Sequence, residues 1–242
     1  MAPPRTLGIP VASLYVAKSR LEPYFNRSFL QHLVLAMLED VVQAALKSQV
    51  FDTIIIYSSD ERVQAFAKQW GINFELEPHP EHNLAQCLAN LTKIAVDDFQ
   101  ASSLLICFSD LPLLLPEDFS TCYALCEDHC VVAAPSAGGG CNFFLRTPPD
   151  VIPLEFDSSP RPSFLSLTQA AAERQVPFKV FSSLRALWDF DIIEDVILGT
   201  QILSLTKPRS PTLTLLGPEL SRFEMQKGKD SRAVKVVLKS NS

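Results

Sequence analysis

The stretch from Ser103 to Leu114 leaves this chain few folds to choose from. It opens with six mostly apolar residues and no polar alternation. That is the pattern of a strand buried on both faces, and so of the middle of a parallel sheet. The run ends on Asp110, and Pro112 and Pro116 stop the strand before the next helix begins. Open α/β sheets bind ligands at the carboxyl ends of their strands. A carboxylate at this exit is well placed to hold a metal ion against a phosphorylated ligand. The plainer alternative is that Asp110 only caps the helix opening near Glu117.

The rest of the chain supplies the sheet. Residues 7–16 contain a first strand and then a turn, followed closely by the cations Lys18 and Arg20. From Phe29 to Leu46 apolar residues recur at spacings of three and four, which predicts an amphipathic helix. Phe51 to Tyr57 reads as a second buried strand. Ser58, Ser59 and Asp60 then cap a helix that runs to Trp70 and ends at Gly71. Ile72 to Leu76 alternates as a less buried strand, and a helix opens over residues 81–84 and runs to about Val96. After the central strand come a helix over about 117–128 and a strand over 130–134. Such alternation, with short linkers, predicts a parallel sheet with right-handed crossovers.

Two later segments carry chemistry. Residues 136–142 hold three of the chain's eight glycines, Gly138, Gly139 and Gly140. Consecutive glycines let a backbone approach a ligand closely and turn its amides inward, so a ligand loop is expected ahead of the strand Phe143 to Arg146. Beyond a helix carrying Leu165, Leu167, Ala171 and Ala172 and an edge strand at 178–181 stand Trp188 to Val196. Extended backbone sends Asp189 and Asp191 to one side and Phe190 to the other. Two carboxylates on one side repel unless a cation joins them, which makes this pair the best metal signature in the chain. The alternative is a solvated pair ahead of a helix capped by Asp191. From Lys207 onward no clear periodicity survives. The expectation is a domain over 1–205 and an extension over 206–242, partly disordered or laid on the surface or on a partner.

Composition excludes several classes. The chain has 242 residues, a net charge of −6 and a pI near 5.2, a poor match to nonspecific nucleic-acid binding. No apolar run reaches 18 residues without a charge, so no membrane span is expected. Residues 1–5 lack the long apolar core of a signal peptide, so with six cysteines the expectation is reduced thiols in a cytoplasm. Cys122, Cys126 and Cys130 would form one stripe on a helix, but core-facing cysteines are the expectation. Neither a Walker sequence nor a Gly-x-Gly-x-x-Gly run is present.

Taken in order, these motifs resemble the 2-phospho-L-lactate guanylyltransferase family, in the MobA-like group of nucleotidyltransferases. Pro10 and Val11 precede Ala17-Lys18-Ser19-Arg20-Leu21, and Asn83 matches a helix start. Asp110-Leu111-Pro112-Leu113, Gly139-Gly140-Cys141-Asn142, Ser163-Phe164 and the Asp189, Asp191, Asp195 series follow over about residues 10–200. The resemblance implies a single-domain three-layer α/β/α fold (GT-A-like or MobA-like) with a mostly parallel sheet. It also implies transfer of GMP from GTP to a small phosphorylated acid, with release of pyrophosphate, in biosynthesis of the deazaflavin coenzyme F-420. Asp110, Asp189 and Asp191 would hold one or two Mg²⁺ ions, while Lys18 and Arg20 neutralise the triphosphate. Pro10, Val11 and Asn83 join Lys18, Arg20 and Asp110 on the nucleotide. Gly139, Gly140, Cys141, Asn142, Arg161 and Ser163 face the acceptor.

The sequence departs from the family pattern at Ala12 for Lys, Ser136-Ala137 for Asp-Arg, Cys141 for Thr, Pro160 for Gly and Leu167 for His. These changes gather on the acceptor side, so beside 2-phospho-L-lactate, the expected acceptor, phosphoenolpyruvate and 3-phosphoglycerate stand as alternatives. The alternatives are a MobA-like enzyme of other specificity, or a silent relative that binds nucleotide or a partner. A homodimer is compatible with either reading.

Overall fold

A computed structural model describes residues 4–78, 83–154, 156, 161–227 and 234–238. The predicted helix opening at residues 81 and 82, and the substitution at Pro160, lie outside these. The elements in chain order are β1 Arg5–Pro10, α1 Arg27–Ser48, β2 Thr53–Ser58, α2 Glu61–Trp70, β3 Asn73–Leu76 and α3 Leu84–Asp97. They continue with β4 Ser103–Cys107, α4 Pro116–Ala124, β5 Cys130–Ala134, β6 Phe143–Thr147, α5 Ser163–Glu173 and β7 Phe178–Val180. The last are α6 Leu184–Leu187, α7 Ile193–Thr206, α8 Pro211–Leu220, β8 Phe223–Lys227 and β9 Val234–Leu238.

Among the described residues the main sheet has the order β3-β2-β1-β4-β6-β5-β7. All its pairings are parallel except those of β6, which runs antiparallel to both β4 and β5. The sheet is mostly parallel, as expected, and β4 is buried along its whole length. The simple continuation of parallel strands expected at residues 130–134 does not occur. Instead β5 lies one strand away from β4, because the glycine loop turns the chain back so that β6 fills the gap. Within that loop the Ser136 N–H donates to Gly140 O and the Gly139 N–H to Ser136 O. Gly139 has φ +79°, a left-handed backbone that glycine adopts without strain. The reversal sets Phe143 opposite Cys107, so the loop ends beside the exit of the central strand.

Helices cover both faces. Leu7, Ile9, Leu105 and Phe143 pack with α1 and α7, while Leu104, Ile106 and Phe144 pack with α3 and α5. α1 has the length and apolarity of a membrane span, but Leu30, Leu33, Met37, Leu38 and Val41 are buried in this core. Cys122 and Cys130 are also buried, in keeping with the core reading. Cys122, Cys126 and Cys130 do not form a helical stripe, because α4 ends at Ala124 and Cys130 opens β5.

The boundary expected after residue 205 falls inside the last turn of α7. Beyond it the chain forms α8, which docks on α1 with Thr212 and Leu216 buried. Asp40 of α1 anchors this join. Its carboxylate accepts from Ser210 Oγ at 2.5 Å and from the Thr212 N–H at 3.1 Å, and it lies 2.8 Å from Lys207 Nζ. Lys207 Nζ also donates to Pro112 O at 2.8 Å, which ties the join to the loop that follows Asp110.

Candidate active site

The site forms where the loops leaving β1 and β4 meet two segments that come later in the chain. Asp60 is an N-cap, as its position predicts, accepting from the Arg62 N–H through Oδ1. Its Oδ2 also accepts from the Leu14 N–H at 3.0 Å, a contact across 46 residues that holds the loop after β1 in place. That loop delivers Lys18 with a φ of 59°, a left-handed conformation disfavoured for a side chain with a Cβ.

Lys18 Nζ lies 2.7 Å from Asp110 Oδ2 and 2.9 Å from Asp191 Oδ1, and Arg20 Nη1 lies 2.5 Å from Asp191 Oδ2. The backbone makes this convergence possible. The Phe190 N–H donates to Asp110 O, and the Phe108 N–H donates to Asn142 O. Asp189 faces the glycine loop, where Asn142 Nδ2 donates to its Oδ2 at 2.7 Å. The two capping alternatives fall away. α4 is capped by Asp118, whose Oδ2 accepts from the Leu115 N–H, and Asp195 accepts from the Ile192 N–H at the start of α7.

Phe190 is buried between the two aspartates and packs on α7 at Gly199. A Cβ at Gly199 would come within 2.2 Å of Phe190 Cε1. Gly199→Ala is therefore expected to cost about 1–3 kcal/mol, reduced by alanine's better helix propensity. The urea midpoint measures this, and an unchanged midpoint would show that the ring moves aside freely.

The charges are unevenly satisfied. Burial would lower the Lys18 pKa, but Asp110 and Asp191 outweigh it and raise it above the usual lysine value. Asp189 is pushed up to about 6, first by burial and then by Asp110 and Asp191. Ionised Asp189 thus costs stability, a cost absent below about pH 4 and fully present once pH has risen through about 6. Ligand-free Asp189→Asn should be more stable than the parent at pH 7 by about 1 kcal/mol, after allowance for screening of a half-buried group. Urea titrations at pH 7 and pH 4 check this, since the advantage must disappear at the lower pH.

A cavity of about 320 Å³ opens beside these residues, lined by Pro10, Val11, Lys18, Glu77, Cys87 and Asp110 among others. Its size falls in the range of small-molecule sites. Sequence reasoning placed Pro10, Val11, Lys18 and Asp110 on a nucleotide, and all four border this space. Asn83 serves as the N-cap of α3, accepting from the Gln86 N–H, while Leu84 and Cys87 of the same helix reach the cavity. Arg20 stands outside the lining on the exposed side of Asp191.

On the other flank, a Cβ at Gly140 would lie 3.5 Å from Ser163 Oγ, so the glycine loop meets the start of α5. Exposed Arg161 precedes that helix. Cys141 corrects its assignment as an acceptor contact. Its side chain is buried in the core with Sγ toward Phe143 O, and burial pushes the thiol up to about 12. Glu77 and Cys87 are cavity residues that no motif announced, since they follow ordinary strand and helix patterns. The long-range reach of Asp60 was likewise hidden behind its role as a cap.

Among the described residues, no group of three or more acidic, His or Cys side chains is gathered tightly enough to hold a metal ion, because Lys18 stands between the carboxylates. The donor set nevertheless suits a cation. Among the described residues Asp110 Oδ1 is buried without a hydrogen-bond partner, and Asp189 is raised by burial and then by its acidic neighbours.

A sheet with this order, whose strand exits converge on a cavity lined by lysine and aspartate, has the architecture of a nucleotidyltransferase. It superposes on a protein from Desulfovibrio desulfuricans G20 assigned to the nucleotide-diphospho-sugar transferases, with a TM-score of 0.71 and 16% identity over 90% of this chain and 95% of that one. A nucleotidyl transferase from Methanothermobacter thermautotrophicus matches with a TM-score of 0.60 and 12% identity, over 84% of this chain and 99% of that one. Residues 6–203 match the model of the CofC-like guanylyl transferases, and the chain belongs to that family. It is 32% identical to the 2-phospho-L-lactate guanylyltransferase of Methanothermobacter thermautotrophicus, covering 81% of this chain and 82% of that protein. It is also 32% identical to the phosphoenolpyruvate guanylyltransferase of Roseiflexus sp., covering 78% and 82%.

Proposed function

We propose that this protein transfers GMP from GTP to the phosphate of a small phosphorylated carboxylic acid, in biosynthesis of coenzyme F-420. An acceptor phosphate oxygen attacks the α-phosphorus, the bond to the β-phosphate breaks, and pyrophosphate leaves. The observation that carries the reading is Lys18, which lines the cavity with Asp110 and pairs with both Asp110 and Asp191, while Asp189 lies close enough to feel their charges. The acceptor phosphate is already ionised near neutral pH, so no general base is required. Catalysis is then mostly alignment and neutralisation of charge.

GTP would seat its base and sugar against Pro10, Val11 and α3, with its phosphates turned toward Lys18. Lys18 would leave its carboxylate partners to hold a phosphate oxygen, and Arg20 would take the departing pyrophosphate from the solvent side. Gly139, Gly140, Asn142 and Ser163 would receive the acceptor, with Arg161 at its exposed edge. Asp110, through its free Oδ1, together with Asp189 and Asp191 would hold Mg²⁺. When bound, that ion would supply positive charge to offset the negative charge of the reacting phosphates.

Glu77 gives the cavity a carboxylate suited to guanine, whose N1–H and 2-amino group form a donor pair absent from adenine. Glu77→Gln should lower the preference for GTP over ATP by roughly tenfold to a hundredfold. Competition binding of the two nucleotides reads this directly, and an unchanged ratio would remove Glu77 from base recognition.

The whole reading is tested by pyrophosphate release from GTP with Mg²⁺, offering 2-phospho-L-lactate, phosphoenolpyruvate and 3-phosphoglycerate in turn. Release that requires one acceptor supports it and names the acceptor. GTP binding without release from any of the three would favour a silent, nucleotide-binding relative.

A further inference from the structure

A second cavity, of about 330 Å³, lies on the α3 face of the sheet, lined in part by Thr92, Lys93, Arg146, Asp150, Ile152 and Leu154. It is separate from the site described above. Arg146 pairs with Leu104, whereas the active-site end of β4 is marked by the Cys107–Phe143 pair. Three residues of strand separate the two, or roughly 10 Å. α3 spans both places, with Cys87 in the first cavity and Thr92 and Val96 in the second.

Arg146 is the unusual member of this lining. It is only 2% exposed, yet among the described residues it forms no close ion pair. Nη2 donates to Thr92 Oγ1 at 2.6 Å, Nη1 reaches Ile152 O only at 3.5 Å, and buried Nε has no partner. The guanidinium also lies over the Phe144 ring, 5.8 Å from its centroid, but it has five N–H donors, and a buried cation left this short of acceptors is costly. Burial pulls it down to about 9, against an upward pull from Asp150 in the same lining, so it remains charged at neutral pH. A protein keeps such a group at a cavity wall at a cost that a bound anion would offset.

We propose that this cavity binds a small molecule with a single carboxylate and an apolar body, the carboxylate held by Arg146. The lining sets Lys93 and Arg146 against Asp97 and Asp150, but of these four only Arg146 is buried, so the buried wall offers one positive charge, which matches one negative charge. A phosphate dianion would leave a second charge desolvated and unpaired. Carboxylate geometry also suits two parallel donors of the guanidinium. Val96, Ile152 and Leu154 provide the surface for the apolar body, and Lys93 stands exposed at the rim. The inference does not depend on the proposed guanylyl transfer.

The test is calorimetric titration of the full chain with hexanoate, hexanol and inorganic phosphate as probes. Hexanoate should bind at least about tenfold more tightly than either of the others, since only it joins the charge to the apolar body. Arg146→Met should weaken hexanoate by about tenfold or more while keeping the fold, because methionine has similar length and needs no counter-charge. Ala89→Trp leaves Arg146 untouched and closes the exposed rim, so it should abolish binding even if the Arg146 variant fails to fold. Hexanoate that fails to bind the parent chain, or binds both variants unchanged, overturns the proposal. Phosphate binding as tightly as hexanoate overturns the carboxylate assignment.

Discussion

Asp110→Asn should lower pyrophosphate release by on the order of 10²–10³, the loss typical when a positioned electrostatic contact to the reacting groups is removed. Asparagine keeps the shape of the side chain and can still accept from Lys18 Nζ, now 2.7 Å from Asp110 Oδ2. What it loses is the charge, and with it the capacity of the buried, unpartnered Oδ1 to bind a cation. The effect should therefore fall on kcat far more than on the melting temperature. Measuring both separates the cases. Activity within a few-fold of the parent would remove Asp110 from the chemistry, whatever the stability.

Lys18→Met should show the converse pattern, with activity and stability falling together. Lys18 is the buried cation between Asp110 and Asp191, its side chain 8% exposed against 18% and 36% for theirs. Without it, two partly buried carboxylates face each other, and only Asp191 keeps a partner in Arg20. The loss is about 2–3 kcal/mol, below the full cost of breaking a buried pair because Asp191 is well hydrated. The raised pKa of Lys18 predicts the pH dependence. Its contribution is complete below the ordinary lysine value of 10.5 and disappears as pH rises through the higher folded value. Unfolding free energies should thus converge for parent and variant at strongly alkaline pH and differ most near neutrality. A constant difference across that range would mean that packing of the side chain, and not its charge, holds the site together.

Much of this site is legible in the chain because it sits where regular structure stops. Asp110 marks the end of an uninterrupted apolar strand, and Asp189 and Asp191 flank a phenylalanine in extended backbone, so their direction follows from the alternation of side chains. Lys18 and the glycine loop also stand out in the chain, the resemblance to the guanylyltransferase motifs implied their roles, and the family match over residues 6–203 agrees with that resemblance. Other residues were not legible. Cys141 sits in a motif position, but the loop directs its side chain into the core. Glu77 lies just past an edge strand with nothing local to mark it, and only the neighbouring loop and α3 turn that place into a cavity wall. The segment beyond residue 206 lacks periodicity because α8 is held by long-range contacts, above all the Asp40 carboxylate 170 residues away from Ser210.

The sequence by itself determined the class of fold, the central strand and the identity of the charged residues at its exit. Those properties depend on local periodicity, on breakers and on short spacings, which act along the chain. The tertiary structure alone decided that β6 runs antiparallel between β4 and β5, which brings Asn142 against Phe108 and Asp189. It also decided that Lys18 pairs with two aspartates lying 92 and 173 residues further on. Such contacts depend on which strand fills a gap in the sheet and on which charge is left buried among others. Packing of the whole chain settles both, and no local pattern encodes either.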